Sequence, residues 1–235
     1  FSMNFFSLEG KTAIVTGGNT GLGQAYVAAL AKAGADLFVV TYDRTWDETR
    51  ELVEKQGRKI YFFQADLTDR TQVTSCVEEC IKVYGKIDIL VNNAGTIRRA
   101  PLLEYKDSDW DAVMAINIDS VYHLSQDTAK IMINQGSGKI INIASMLSFQ
   151  GGKFVPPYTA SKHAVAGITK AFANELANKN IPSNAPLGVK APKLMKVDPK
   201  KKMVAITLDD GPHKTLTERA MYGREDITVE EHSSN

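Results

Sequence analysis

Short apolar segments alternate with longer amphipathic ones through most of this chain, and that alternation constrains the fold more than any other feature. Thr12–Thr16, Asp36–Thr41, Lys59–Asp66, Asp88–Asn92 and Gly138–Ser145 read as strands. Gly21–Ala33, Trp46–Lys55, Gln72–Tyr84, Asp109–Asn134 and Ala160–Asn178 read as helices, three of them stopped by Gly34, Gly57 and Gly85. Strands this short and continuously apolar suit a sheet buried on both faces. The pattern predicts a doubly wound parallel sheet in a three-layer α/β/α arrangement, with ligands beyond the carboxyl ends of the strands.

Charge and composition exclude several function classes. The 235 residues carry 28 Lys and Arg against 27 Asp and Glu, so bulk electrostatics point to neither nucleic acid nor a membrane. No apolar run reaches the roughly 18 residues a membrane span needs. The first residues lack the basic segment and apolar run of a secretory signal, so a cytoplasmic location is expected. The two cysteines, Cys76 and Cys80, lie one helical turn apart without further ligands nearby. They read as reduced helix thiols, and no metal is expected.

A glycine-rich turn follows the first strand. In Thr16-Gly-Gly-Asn-Thr-Gly-Leu-Gly23, the glycines at 17, 21 and 23 let the backbone turn tightly and approach a pyrophosphate at the N-terminus of the next helix. The spacing differs from G-x-G-x-x-G, but the strand-then-helix context suits a nucleotide. The end of the second strand should read the adenosine ribose. There Thr41 is followed by Tyr42, Asp43 and Arg44; Asp43 is suited to ribose hydroxyls and Arg44 to a 2′-phosphate. The balance leans to NAD without excluding NADP. Asp66, ending the third strand, suits either the adenine amino group or a helix N-cap. Asn92-Asn-Ala-Gly95 ends the fourth strand with small residues that leave room for a cofactor, or forms a simple turn.

Tyr158 and Lys162 stand four residues apart on a segment that reads as helix, so phenol and ammonium share a face. A cation held beside a phenol lowers its pKa toward working pH, which suits proton transfer. Ser145, thirteen residues upstream of Tyr158, ends a neighbouring strand where its hydroxyl could hold a substrate oxygen. Together these groups suit interconversion of an alcohol and a ketone.

Taken together, Thr16–Gly23, Asn92–Gly95, Asn117, Ser145, Tyr158 and Lys162 resemble the short-chain dehydrogenase/reductase family over roughly residues 7–181. The resemblance implies a Rossmann-type fold, a nicotinamide cofactor and a catalytic tetrad. Tyr158 would be the general acid/base, and Lys162 would lower its pKa and bind the nicotinamide ribose. Ser145 would orient the substrate oxygen, and Asn117 would hold a water in the proton relay. The implied cofactor contacts are Gly17, Asn19, Thr20, Gly21, Leu22, Gly23, Thr41, Asp43, Asp66, Leu67, Asn93, Ala94 and Gly95, with Tyr158 and Lys162. Asn92–Arg99 and Gly138–Gly152 are similar to family members acting on keto-deoxy sugar acids in uronate and pectin breakdown. That similarity implies a small sugar-acid substrate. Arg98 and Arg99 either clamp its carboxylate or form a solvated surface pair, and Gln150 is placed to bond a sugar hydroxyl. The family commonly forms tetramers, so a homo-oligomer is possible.

After Ile181 the pattern changes. Prolines at 182, 186, 192 and 199 alternate with lysines, and the short interval between Gly188 and Met203 leaves little length for substrate-covering helices. The sequence therefore divides into a dehydrogenase domain over 1–181 and an atypical tail over 182–235. Within the tail, Lys202–Pro212 resembles the opening motif of polysaccharide deacetylases, with Asp209 as base and Asp210 as ligand. The paired histidines such a site requires are missing, since His213 and His232 lie too far apart.

Overall fold

A computed structural model describes residues 6–177. The tail and its deacetylase-like motif lie outside the described residues. Five parallel strands, β1 (Thr12–Thr16), β2 (Asp36–Thr41), β3 (Ile60–Gln64), β4 (Ile89–Asn92) and β5 (Lys139–Asn142), form one sheet in the order β3-β2-β1-β4-β5. The order reverses between β1 and β4, the point at which doubly wound sheets open a crevice for ligands. Helices α1 (Gly21–Lys32), α2 (Asp47–Glu54), α3 (Arg70–Tyr84), α4 (Asp107–Met114), α5 (Ser120–Gln135) and α6 (Pro156–Ala177) flank it.

The central strand explains the layering. Every residue of β1 is buried, and successive side chains enter different cores. Ile14 joins Phe38, Leu90 and Ile140 against α3 and α5, whereas Ala13 and Val15 join Leu37, Val39 and Val91 against α1 and α2. Stacking of Phe38 on Tyr61 and Phe63, at centroid distances of 5.4 and 5.9 Å, joins β2 to the outer strand β3. Each such pair contributes about 0.5–1.5 kcal/mol beyond its buried area. Among the described residues, no helix is long and apolar enough to cross a membrane.

Several boundaries differ from the sequence expectation, among them the fifth strand, expected to run to Ser145 but ending at Asn142. The segment expected as one helix from Asp109 to Asn134 is helical from Asp107 to Gln135, but a π-helical turn interrupts it at Ala115–Asp119. Asn117 lies in that turn, where its side chain is drawn into bonds with Thr96 and Ser161. Helix α6 begins at Pro156 rather than Ala160. Prolines are tolerated in a first turn because its N–H groups have no helical acceptor. Helix α3 begins at Arg70 and is capped by Asp69, whose carboxylate accepts from Thr71 and Gln72 N–H at 2.8 and 3.4 Å. Asp66, one of whose alternatives was an N-cap, instead accepts from the Thr68 N–H and hydroxyl in the preceding turn.

Candidate active site

Beyond the carboxyl ends of β1, β2 and β4 lies a cavity of about 440 Å³. A second, of about 200 Å³, adjoins it beyond β5 and α6. Both are lined by Leu22, Asn93, Gly95 and Thr96, so they form one elongated site.

Three glycines, Gly17, Gly23 and Gly95, are among the residues that line the larger cavity. Gly17 follows β1 at φ 61°, and a Cβ there would lie 3.2 Å from Ala94 Cα. A Cβ on Gly23 would lie 2.0 Å from the Gly17 carbonyl oxygen and 2.6 Å from Asn93 Nδ2. The turn thus closes only with glycine at 23. Asn93 fixes it from β4 by donating Nδ2 to the carbonyls of Thr16 and Gly17, at 3.0 and 3.1 Å. Thr16 Oγ1 accepts in return from the N–H groups of Asn93 and Ala94. Thr20, the N-cap of α1, makes no side-chain capping bond, and no acid occupies the first turn. The uncapped N-terminus of a twelve-residue helix therefore meets the cavity with its dipole and unbonded N–H groups, which suits a pyrophosphate. A dinucleotide cofactor fits this cradle.

The ribose end centres on Asp43. Its Oδ1 accepts from Thr45 Oγ1 at 2.7 Å, Asn19 Nδ2 at 2.8 Å and Thr45 N–H at 3.2 Å. The Thr45 hydroxyl, followed by the Thr45 N–H, holds this exposed carboxyl below the usual carboxylate range. Asp43 lines the cavity, whereas Arg44 does not and bonds Gln64 Oε1 at 2.8 Å. Of the implied cofactor contacts, Gly17, Asn19, Thr20, Leu22, Gly23, Thr41, Asp43, Leu67, Asn93, Ala94 and Gly95 line the larger cavity; Gly21 and Asp66 do not.

The smaller cavity is lined by Tyr158 and Lys162 together with Ile97, Ile143 and Ala144. Tyr158 lies in the first turn of α6, and Lys162 Nζ stands 5.5 Å from the centre of its ring. The same ammonium donates to the Ile143 carbonyl at 2.7 Å, which fixes the otherwise flexible side chain. Ser145 is buried beside this cavity rather than among its lining residues, and its Oγ accepts from the Leu147 N–H at 3.2 Å. Asn117, 1% exposed, uses its whole amide: Oδ1 accepts from Thr96 N–H, and Nδ2 donates to the Thr96 carbonyl and to Ser161 Oγ.

The residues expected to meet substrate are more dispersed. Arg98 bonds Thr96 Oγ1 at 2.8 Å and faces Asp109 at 3.7 Å, while Arg99 and Gln150 are exposed. None of the three lines the described cavities. Cys76 and Cys80 are free and buried, and burial pushes the Cys76 thiol up to about 12. Among the described residues no group of His, Cys, Asp or Glu is placed to hold a metal. Thr16, Thr96, Ser148 and Ser161 shape the site but escape sequence reasoning, because their bonds join distant segments. The Thr16 contacts span 77 and 78 positions.

Comparison with known proteins places the chain in a family. Residues 11–202 match the family model described as short chain dehydrogenase. The chain is 50% identical over 184 residues to 2-dehydro-3-deoxy-D-gluconate 5-dehydrogenase of Dickeya dadantii, an alignment covering 78% of this chain and 72% of that one. A crystal structure from Agrobacterium tumefaciens, provisionally named 2-deoxy-D-gluconate 3-dehydrogenase and holding NADP, superposes with TM-score 0.69 at 44% identity, covering 76% of this chain and 71% of that one. NAD+-bound xylitol dehydrogenase superposes with TM-score 0.71 at 31% identity, covering 74% and 67%.

Proposed function

The chain belongs to the short-chain dehydrogenase family, and on that premise we propose that it transfers a hydride between NAD and a hydroxyl-bearing carbon of a keto-deoxy sugar acid of the 2-dehydro-3-deoxy-D-gluconate type. The observation carrying this reading is the meeting of Tyr158 and Lys162 at a cavity continuous with the glycine-walled one. A Tyr–Lys pair placed there serves proton transfer next to a dinucleotide. The dehydrogenase unit is assigned to residues 1–181.

Bound nicotinamide supplies the acceptor or donor of hydride at the substrate carbon. In oxidation, the Tyr158 phenolate takes the hydroxyl proton as the carbonyl forms; in reduction, the phenol returns it. Lys162, held by the Ile143 carbonyl, keeps a positive charge beside that phenol and favours its ionised form. Ser145 holds the substrate oxygen toward Tyr158. Asn117, whose amide is bonded to Thr96 and Ser161 in the π turn, is assigned to hold the water of the proton relay.

Four features support the finer assignments. Asp43, charged and lining the cavity, favours ribose hydroxyls over a 2′-phosphate, hence NAD over NADP. Arg98 and Arg99 follow directly on the cavity residue Ile97, where a bound sugar acid presents its carboxylate. Partly exposed Trp110, Tyr122 and Ile133 on α4 and α5 suit a homo-oligomer contact. The two unpaired buried thiols accord with a cytoplasmic location.

The test is titration of the purified chain with NAD(H) and NADP(H), followed by absorbance at the reduced-nicotinamide band with 2-dehydro-3-deoxy-D-gluconate and with gluconate. Tighter NAD(H) binding and turnover of the keto-deoxy acid are expected. Binding without turnover of either acid would overturn the substrate assignment, and absence of binding would overturn the cofactor assignment.

A further inference from the structure

We infer that Ser148 is a positioning residue that sets Ser145 in register with Tyr158 and Lys162. The problem it addresses is geometric. Tyr158 and Lys162 stand on α6, whereas Ser145 stands beyond β5, whose ladder ends at Asn142. The three residues from Ile143 to Ser145 lie outside regular structure, with Ser145 extended at φ −155° and ψ 164°. A serine that must hold an oxygen within hydrogen-bond reach of a phenol on another element needs a separate tie.

Two bonds supply it, and both end on Lys162. Ahead of Ser145, Lys162 Nζ donates to the Ile143 carbonyl at 2.7 Å. Behind it, Ser148 Oγ donates to the Lys162 carbonyl at 2.8 Å. Ser148 Oγ also accepts from the Ser145 N–H at 3.3 Å. One hydroxyl thus joins the main chain of Ser145 to the main chain of Lys162, and the segment between Ile143 and Ser148 is pinned to one helical residue at both ends.

Local capping accounts for only half of this. Ser145 and Ser148 form a reciprocal capping box around the 3₁₀ turn at Met146–Ser148. That box needs Ser148 only as an acceptor. The bond donated outward to α6 does nothing for a three-residue turn, yet it is the shorter of the two. Ser148 is 4% exposed and lines neither cavity, so it touches neither cofactor nor substrate. Packing of β5 on α6 has separate support, because Asn142 Nδ2 donates to Thr169 Oγ1 at 3.0 Å. Ser148→Ala is therefore expected to fold.

The inference rests on the proposed roles of Ser145, Tyr158 and Lys162, so Tyr158→Phe is measured in parallel. The assay is oxidation of 2-dehydro-3-deoxy-D-gluconate with NAD, alongside NADH binding by fluorescence and thermal melting of the full chain. In Ser148→Ala, kcat is expected to fall about ten- to hundredfold, the size of effect that a displacement near 1 Å produces at a reacting centre. The NADH dissociation constant should stay within about twofold, since the glycine turn and Asn93 are untouched. Ser148→Thr, which keeps the hydroxyl, should recover most of kcat. An unchanged kcat in Ser148→Ala overturns the brace. So does a fall shared equally by kcat, NADH affinity and melting temperature, which marks a structural residue. Turnover lost in Tyr158→Phe but retained in Ser148→Ala overturns the brace alone, whereas turnover retained in Tyr158→Phe overturns the functional reading and the brace with it.

Discussion

The two ends of the site reach the same region of backbone space by different means. At the cofactor end, Gly17 and Gly21 occupy φ 61° and 54°, where glycine pays no steric penalty. In the loop that leads into α6, the helix carrying Tyr158 and Lys162, Phe154 occupies φ 63° with a full side chain. The cofactor turn is closed by a glycine whose Cβ would collide with a carbonyl oxygen, and the side chains of Asn93 and Thr16 tie it to the chain after β4. The catalytic end has no such glycine among the described residues and is held by side chains bonded to main chain: Lys162 on Ile143, Ser148 on Lys162, Asn117 on Thr96. A glycine-closed turn suits a ligand whose phosphates do not change between reactions. Side-chain ties allow the substrate wall to vary without disturbing that turn.

If the two ends are separable, changes at each should be felt in different measurements. The largest effect is expected for Tyr158→Phe, which removes the proton carrier and leaves the ring. Turnover should fall by about 10²–10⁴-fold, with NADH affinity retained. Stopped-flow absorbance and fluorescence titration on the same preparation check this. A matching loss of NADH affinity would mean that the phenol belongs to the cofactor end as well, and the division would fail.

The converse change is Gly23→Ala. A Cβ at 2.0 Å from the Gly17 carbonyl oxygen forces the turn open and displaces Asn93 Nδ2. NADH affinity should fall more than tenfold, and overpacking should cost about 1–3 kcal/mol in stability. With a melting-temperature change of about 2–4 °C per kcal/mol for a domain of this size, the loss is readable by calorimetry. Once cofactor saturates, kcat should be less affected than in Tyr158→Phe; an equal loss would show that the turn also sets the catalytic geometry.

Legibility in the sequence follows the same division. The glycine turn announces itself because its requirement is local: residues 16–23 contain both the chain reversal and its glycines. Tyr158 and Lys162 are similarly visible, since a spacing of four on a helix is enough to set them on one face. What depends on distant partners was hidden. The π turn at Asn117 arises from bonds to Thr96 and Ser161, 21 and 44 positions away. The start of α6 at Pro156, four residues before the expected Ala160, is compatible with prolines in a helix's first turn. Two aspartates three positions apart compete to cap α3, and only the backbone geometry shows that Asp69 takes the cap while Asp66 serves the turn before it.

A smaller effect is expected for Asp43→Ala, which sharpens the cofactor end alone. Hydrogen bonds from Thr45, together with one from Asn19, hold the carboxyl below its usual range, and its negative charge repels a 2′-phosphate. The preference for NAD over NADP should shrink by about tenfold, or about 1.4 kcal/mol, with kcat under saturating cofactor little changed. Parallel titrations with the two reduced cofactors decide it. An unaltered ratio would leave the selection to the main chain of the β2–α2 loop.

The smallest change tests the strained position in the loop before α6. Phe154 is half-exposed, and its carbonyl accepts from the Ala100 N–H at 3.1 Å, clasping the loop after β4 to the loop before α6. Phe154→Gly keeps that main-chain bond and removes a left-handed strain of about 1–2 kcal/mol. Greater freedom of glycine in the unfolded chain offsets about 0.4–1 kcal/mol of the gain. The net expectation is a variant as stable as the parent or more stable by up to about 1.6 kcal/mol, read from the urea midpoint. Phe154→Ala keeps the strain and loses the ring, so it should be the less stable of the two. The reverse order would mean that the ring's packing, rather than the backbone clasp, holds these loops together, and the approach to the catalytic helix would then be built from side chains down to its left-handed residue.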